Sequence, residues 1–305
     1  MATPDTMSHP RNGPPHGPRG PAVRGPLAGR RIAILEHREL DRLGGMLEAQ
    51  DADTLRVPLV AIADAPDAAP VLAWLRRFVE APPDDLVLMT GEGLRRLCGF
   101  AERAGQGAAF RGALGGVRTI TRGPKPARAL REIGLAPGLR AERPTTDGVI
   151  AALAPGELRD RRVGVQLYPE APPTLVDFLA QAGARPDPVW PYVYVPSVGD
   201  DAILALIAEL ADGRVDAIAF TSAAQVSRLF AAAAAAGLEA KLAAALRRTV
   251  IATVGPVVAG ELERRGLSVA IMPRDTYFMK PLVSAIAAGL ARADAAGDGG
   301  QPAGQ

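Results

Sequence analysis

Apolar and polar positions along this chain fall into short segments of two alternating kinds. Runs rich in Val, Ile and Leu lie at 31–35, 55–62, 86–89 and 117–121, and again at 162–167, 188–195, 216–221 and 249–254. Their length and β-branched content predict strands. Between them apolar residues recur at three- and four-residue spacing, as in Leu40, Leu43 and Leu47, or Leu175, Phe178 and Leu179. That spacing predicts helices, and Gly134 and Gly266 read as helix stops. Strands alternating with helices specify α/β architecture, a parallel sheet with helices on both faces.

The pattern occurs twice. Arg30-Arg31-Ile32-Ala33-Ile34 resembles Arg161-Arg162-Val163-Gly164-Val165, and DLVLMT (85–90) resembles DAIAFT (216–221), both at an offset of 131. TITRGPKPARALREIGL (119–135) matches IATVGPVVAGELERRGL (251–267) in its Gly-Pro, its Leu and its closing Gly-Leu. The chain is therefore read as two similar α/β halves.

Ligands of an open parallel sheet bind outside the carboxyl ends of the strands. Six such ends carry hydroxyls or Gly-Pro just before a helix: Thr90-Gly91, Gly123-Pro124, Thr145-Thr146, Thr221-Ser222, Gly255-Pro256 and Asp275-Thr276. A hydroxyl there caps the helix by accepting its free N–H groups. The alternative is that those N–H groups face an anion. Six ends suit a ligand with several carboxylates or phosphates. No G-x-x-x-x-G-K-[ST] and no G-x-G-x-x-G occurs, which argues against a nucleotide.

Composition narrows the chemistry. Aromatic residues make up only 4% and the net charge is +2, a poor basis for nucleic-acid binding. One cysteine, Cys98, excludes an internal disulfide and reads as a small buried hydrophobe. Outside the N-terminal segment the only histidine is His37, so neither a His-rich metal site nor a Ser-His-Asp set can be assembled. There is no apolar run of transmembrane length and no secretory h-region, so a cytoplasmic protein is expected. Residues 1–28 (HPRNGPPHGPRGPAVRGP at their centre) and 292–305 read as disordered tails.

Several motifs together resemble the uroporphyrinogen-III synthase family. They are the half-repeat plan, D-x-I-x-F-T-S at 216–222, Val254-Gly255-Pro256 before A-x-x-L-x-x-x-G-L, and Pro191-Tyr192-Val193. The resemblance covers about 29–291. It implies two HemD-like domains, 29–61 plus 196–291 and 62–195, joined by a two-stranded linker at 57–62 and 189–195. It also implies a monomer that cyclises hydroxymethylbilane and inverts its last ring, with no metal or organic cofactor. Tyr192 matches the family tyrosine proposed as an acid, and its alternative role is packing beside Trp190 and Tyr194. Arg38, Thr90, Gly91, Gly123, Lys125, Thr146, Thr221, Ser222, Gly255 and Thr276 are the expected substrate-binding residues.

The chain departs from the family pattern in places. Val257-Val258 replace hydroxyl residues after Gly-Pro, and Glu36-His37-Arg38 stands where Thr-Arg is usual. Leu167-Tyr168-Pro169-Glu170 lacks the usual glycine. A second expectation follows, a relative that keeps the fold without catalysis and serves as a sensor or regulator, as in nitrate assimilation. Such regulators usually carry a DNA-binding module, and none is read in the short stretch after 291. No direct nucleic-acid or membrane partner is expected.

Overall fold

The computed structural model describes residues 24–274 and 276–298, with side chains as far as 292. Of the expected tails at 1–28 and 292–305, residues 1–23 and 299–305 lie outside the described residues.

Strand β1 (Arg31–Ile34) leads through α1 (Leu40–Glu48) to β2 (Asp53–Arg56), and β3 (Val60–Asp64) then leaves this sheet. Next come α2 (Ala69–Glu80), β4 (Asp85–Leu88), α3 (Gly91–Arg103), α4 (Gly107–Gly115), β5 (Arg118–Thr121) and α5 (Pro124–Glu132). They are followed by β6 (Leu139–Arg140), α6 (Thr146–Leu153), β7 (Arg162–Gln166), α7 (Thr174–Gln181) and β8 (Arg185–Val189). The chain returns through β9 (Tyr192–Pro196) to α8 (Asp200–Ala211), β10 (Ala217–Phe220), α9 (Ala223–Ala235) and α10 (Glu239–Arg248). It ends with β11 (Val250–Thr253), α11 (Pro256–Glu263) and α12 (Met279–Asp298).

Two parallel sheets result, with strand orders β11-β10-β1-β2 and β6-β5-β4-β7-β8. The first belongs to a lobe formed by the two ends of the chain, the second to a lobe formed by its middle. Between them β3 and β9 form an antiparallel pair, with Val60 opposite Pro196 and Asp64 opposite Tyr192. This is the expected two-domain α/β fold.

Two predicted strands are divided. The runs at 55–62 and 188–195 each break, at Val57–Leu59 and at Trp190-Pro191. Pro58 and Pro191 lack the N–H that a continuing ladder needs. Each break lets the chain leave one sheet and join the linker. Edge strand β8 tolerates Pro186 and Pro188 because its only neighbour is β7.

Burial follows the two periods. In β4, Leu86 and Leu88 face a core with Trp74 and Phe78, while Val87 faces the opposite core with Val163 and Val165. In α2 the buried residues are Val71, Trp74, Leu75 and Phe78, one stripe of a helix. Cys98 is partly buried against the same core, close to its expected role. Gly134 and Gly266 have φ of 79° and 70°, the left-handed stop conformation. The ordered chain is longer than expected at both ends. Leu27 is fully buried in the first lobe, and α12 runs past 291 to Asp298. No described helix is long and apolar enough to cross a membrane.

Candidate functional site

Thr90 ends β4 in extended conformation, and its hydroxyl accepts the Gly93 N–H at 3.0 Å, capping α3. Its own N–H donates to Gln166 Oε1 at 3.0 Å. Gly91 is glycine because a β-carbon there would lie 2.6 Å from the Lys125 carbonyl oxygen, so the tips of α3 and α5 touch. Tyr192, only 2% exposed, places its hydroxyl 3.2 Å from Thr90 Oγ1. The Thr90 hydroxyl hydrogen has an acceptor in Gln166 Oε1 at 3.4 Å, so Tyr192 is the donor toward Thr90. Burial, with Tyr194 alongside, pushes the Tyr192 phenol far above its ordinary pKa, against the opposing effect of the Thr90 bond. Tyr192 is a neutral O–H donor.

The matching tip in the first lobe is built differently. Gln225 Oε1 accepts the N–H groups of Thr221 at 2.8 Å and Ser222 at 3.2 Å, and its amide donates to Thr221 Oγ1 at 2.9 Å. The Thr221 hydroxyl donates to the carboxylate of Glu36, which follows β1. Thus the leading N–H groups at both tips meet glutamine carbonyls, one from a neighbouring strand and one from the helix's own first turn. Sequence reasoning missed both glutamines; the only signal for Gln225 was its place three residues after Ser222, as in a capping box.

The two Gly-Pro ends are covered by neighbouring loops. A β-carbon at Gly123 would meet Pro144 Cβ at 2.8 Å, and one at Gly255 would meet the Tyr277 ring at 3.0 Å. Pro124 and Pro126 remove two donors from the first turn of α5, leaving Lys125 as the donor between them. The cap of α6 is Thr145, which accepts the Gly148 N–H at 3.1 Å, while Thr146 is the first helical residue. Thr276 is exposed beside Tyr277, the residue whose ring covers Gly255.

Charged groups from both lobes meet between these tips. Arg38, after β1, ion-pairs with Glu92 in the first turn of α3. Arg96 joins Glu92 at 2.8 Å to Asp64 of the linker at 2.8 Å and donates to the Ile62 carbonyl at 3.1 Å. Lys125 reaches solvent, yet protein crowds it from several sides. This dehydration lowers its pKa, with Glu36 and Glu39 opposing the shift and Arg122 and Arg38 adding to it. Arg122 follows β5 and lies over the Tyr168 ring, 5.1 Å from its centroid. Tyr168 and Arg122 were not among the expected site residues. Arg122 had a signal in the sequence, a cation directly before Gly-Pro where the second half has Val254.

The structure therefore brings together Arg38, Thr90, Gly91, Lys125 and Tyr192, with Thr221 joined through Glu36 and Ser222 tied to Thr221 by Gln225. Gly123 and Gly255 shape the rim. Among the described residues no three His, Cys, Asp or Glu side chains are placed to hold a metal.

Two α/β lobes with parallel sheets, joined by a two-stranded antiparallel linker, define a two-domain fold of the HemD type. The chain is a member of the uroporphyrinogen-III synthase HemD family, whose model matches residues 41–284. It is 32% identical over 248 residues to uncharacterized protein YjjA of Bacillus subtilis (strain 168), covering 81% of this chain and 91% of that one. It is 31% identical over 167 residues to a putative uroporphyrinogen-III synthase of Methanothermobacter thermautotrophicus, covering 54% of this chain and 64% of that one. Its fold matches a crystal structure of a mutant Thermus thermophilus uroporphyrinogen III synthase with a TM-score of 0.69 at 27% identity, covering 87% of this chain and 100% of the other. The wild-type Thermus protein in a second crystal form gives a TM-score of 0.56 at 28% identity, with the same coverage of 87% and 100%. These matches support a uroporphyrinogen-III synthase-like role.

Proposed function

We propose that this protein is a uroporphyrinogen-III synthase, a cytoplasmic monomer that cyclises hydroxymethylbilane without a cofactor. The observation that carries the reading is the meeting of Arg38, Glu36 and Glu39 of one lobe with Glu92, Arg122 and Lys125 of the other. A flexible polycarboxylate spanning both lobes finds cations and hydroxyls there. In the reaction the C–O bond of the hydroxymethyl group breaks and the oxygen leaves as water after taking a proton. The nitrogen lone pair of the adjoining pyrrole stabilises the resulting cation, so no strong nucleophile is required of the protein. The last ring then attacks through its substituted α-carbon and closes a spiro ring. The bond from that carbon to its original methylene bridge breaks, and the freed methylene re-bonds at the ring's unsubstituted α-carbon, which loses its proton and leaves the ring inverted. Holding the chain curled supplies about 7–11 kcal/mol of barrier reduction by positioning. The acid assigned to the departing hydroxyl is Tyr192, acting through Thr90 once that hydroxyl turns from Gln166 to the substrate. Lys125 holds carboxylates, joined by Arg38 when the substrate displaces Glu92.

The test is incubation of the purified protein with freshly made hydroxymethylbilane, followed by oxidation and separation of the isomers. The type III isomer in excess is expected. Type I alone, the product of spontaneous closure, overturns the reading.

One observation favours a second reading. Glu36 places a carboxylate against Thr221 at the ligand-facing end of β1, and Val257 and Val258 follow Gly255-Pro256. An acid and two apolar residues at these positions suit a relative that binds a tetrapyrrole for sensing or regulation, as in nitrate assimilation. Tight binding of the cyclic product without formation of the type III isomer would select it.

A further inference from the structure

We infer that Arg122, lying over the Tyr168 ring beside Lys125, forms a carboxylate subsite through which the second lobe carries most of the grip on the ligand. The inference rests on the reading of the interlobe site as a tetrapyrrole site and names the part of it that holds the acid groups.

The geometry is particular to Arg122. Its backbone N–H is taken by the Leu88 carbonyl at 3.1 Å, which fixes it at the carboxyl end of β5. Its guanidinium lies 5.1 Å from the Tyr168 centroid and acts electrostatically on Tyr192, Tyr194 and Lys125. The neighbouring arginines are occupied: Arg38 by Glu92, Arg95 by Glu132, and Arg96 and Arg103 by Asp64. Arg122 makes no ion pair among the described residues. A guanidinium over a ring face engages the ring with its charge and spends no N–H on an ion pair, and its planar fork of N–H donors matches a carboxylate bidentately. The ring contact limits the rotamers that binding must freeze.

The repeat shows that this is no property of the fold alone. Val254 and Val257 of the first lobe stand where the second has Arg122 and Lys125, and Val254 is buried. The first lobe adds the Glu36 carboxylate on its side. Two cations on one side and an acid on the other hold an acidic ligand unevenly. Tyr168 and Tyr194 offer ring surface next to the cations, which fits a ligand whose carboxylates hang from aromatic rings.

The test is titration with uroporphyrin III, an octacarboxylate tetrapyrrole, followed by quenching of its fluorescence. Arg122→Gln weakens binding about tenfold or more, the loss of a charge-assisted bidentate contact. Arg122→Lys recovers only part, because an ammonium lacks the planar fork. Arg247→Gln removes an equal charge from the far edge of the first lobe and leaves affinity unchanged. Thermal melts confirm that each variant is folded. Equal affinities for wild type, Arg122→Gln and Arg247→Gln, or an equal loss in both variants, overturn the subsite. Arg122-dependent binding without type III isomer from the wild type keeps the subsite and removes the synthase reading. Type III isomer formed with an unchanged KM in Arg122→Gln does the reverse.

Discussion

Asp64 and Tyr192 face each other across the linker ladder, and each fastens the same helix. Asp64 holds Arg96 of α3 at 2.8 Å, and Tyr192 meets Thr90, the cap of α3, at 3.2 Å. Both linker strands thus grip α3 from the second-lobe end. The tip of α3 is where Arg38 of the first lobe docks. The polar residues of the site and the connection between the lobes share one helix.

Tyr192→Phe separates these roles. Thr90 keeps its contacts to Gly93 and Gln166, and Tyr194, whose hydroxyl also meets Tyr192, is only partly buried. The stability cost is about 0.5–1.5 kcal/mol, one hydrogen bond. Under the proposed function turnover of hydroxymethylbilane falls, by about 10²–10⁴-fold if the phenol supplies the proton. Steady-state assay beside a thermal melt checks both, and unchanged turnover removes the acid role.

The Arg38–Glu92 pair is a direct bond between the lobes. Glu92 has a side chain only 12% exposed and also holds Arg96, so its charge is well fixed. Glu92→Gln keeps the shape and removes the attraction. The lobes then swing apart, and the radius of gyration from solution scattering rises in low salt. Raising the salt concentration widens the wild type in the same direction by screening the pair. Superimposable scattering curves for wild type and variant count against a latch.

Asp85, 0% exposed, ties Arg118 to Arg161 at the start of β4. Burial alone raises its pKa, but the two guanidinium bonds outweigh burial and hold it below the ordinary carboxylate value. A depressed folded pKa gives stability that is present above the unfolded value of about 3.9 and is lost as pH falls through the folded one. Asp85→Asn therefore lowers the melting temperature at neutral pH and flattens its decline in acid below about pH 4. The cost is about 1–3 kcal/mol, short of a fully buried pair because both arginines reach solvent. A melt series from pH 7 to pH 3 tests it.

The strands, the repeat and the helix stops were legible in the sequence because each rests on local pattern. The breaks at Pro58 and Pro191 were written there too, yet only the partner strand shows that they send the chain into a linker. Thr90 and Thr221 have a fixed place in the repeat, so the sequence alone singles them out as strand-end hydroxyls. Gln166 and Glu36 are not singled out, since their roles arise from neighbours 76 and 185 residues away in the chain. Arg122 is an intermediate case: the comparison of halves exposes it, but only the Tyr168 ring gives its charge a direction.

Lys125 makes the acid-base behaviour of the site measurable. Its charged form is the one that attracts a carboxylate, and crowding by protein, opposed by Glu36, sets its pKa below the ordinary lysine value of 10.5. Affinity for uroporphyrin III therefore falls as pH rises through this lowered value, earlier than for an ordinary lysine. Lys125→Met removes that step and lowers affinity at neutral pH. The stability effect has the opposite sign. A folded pKa below the unfolded one means that folding disfavours the ammonium, so stability rises with pH between the folded and unfolded values. Lys125→Met removes this dehydration burden and melts higher than wild type at pH 7 while binding less. A variant that melts lower, or binds with the same alkaline fall as wild type, shows that Lys125 is not the titrating cation.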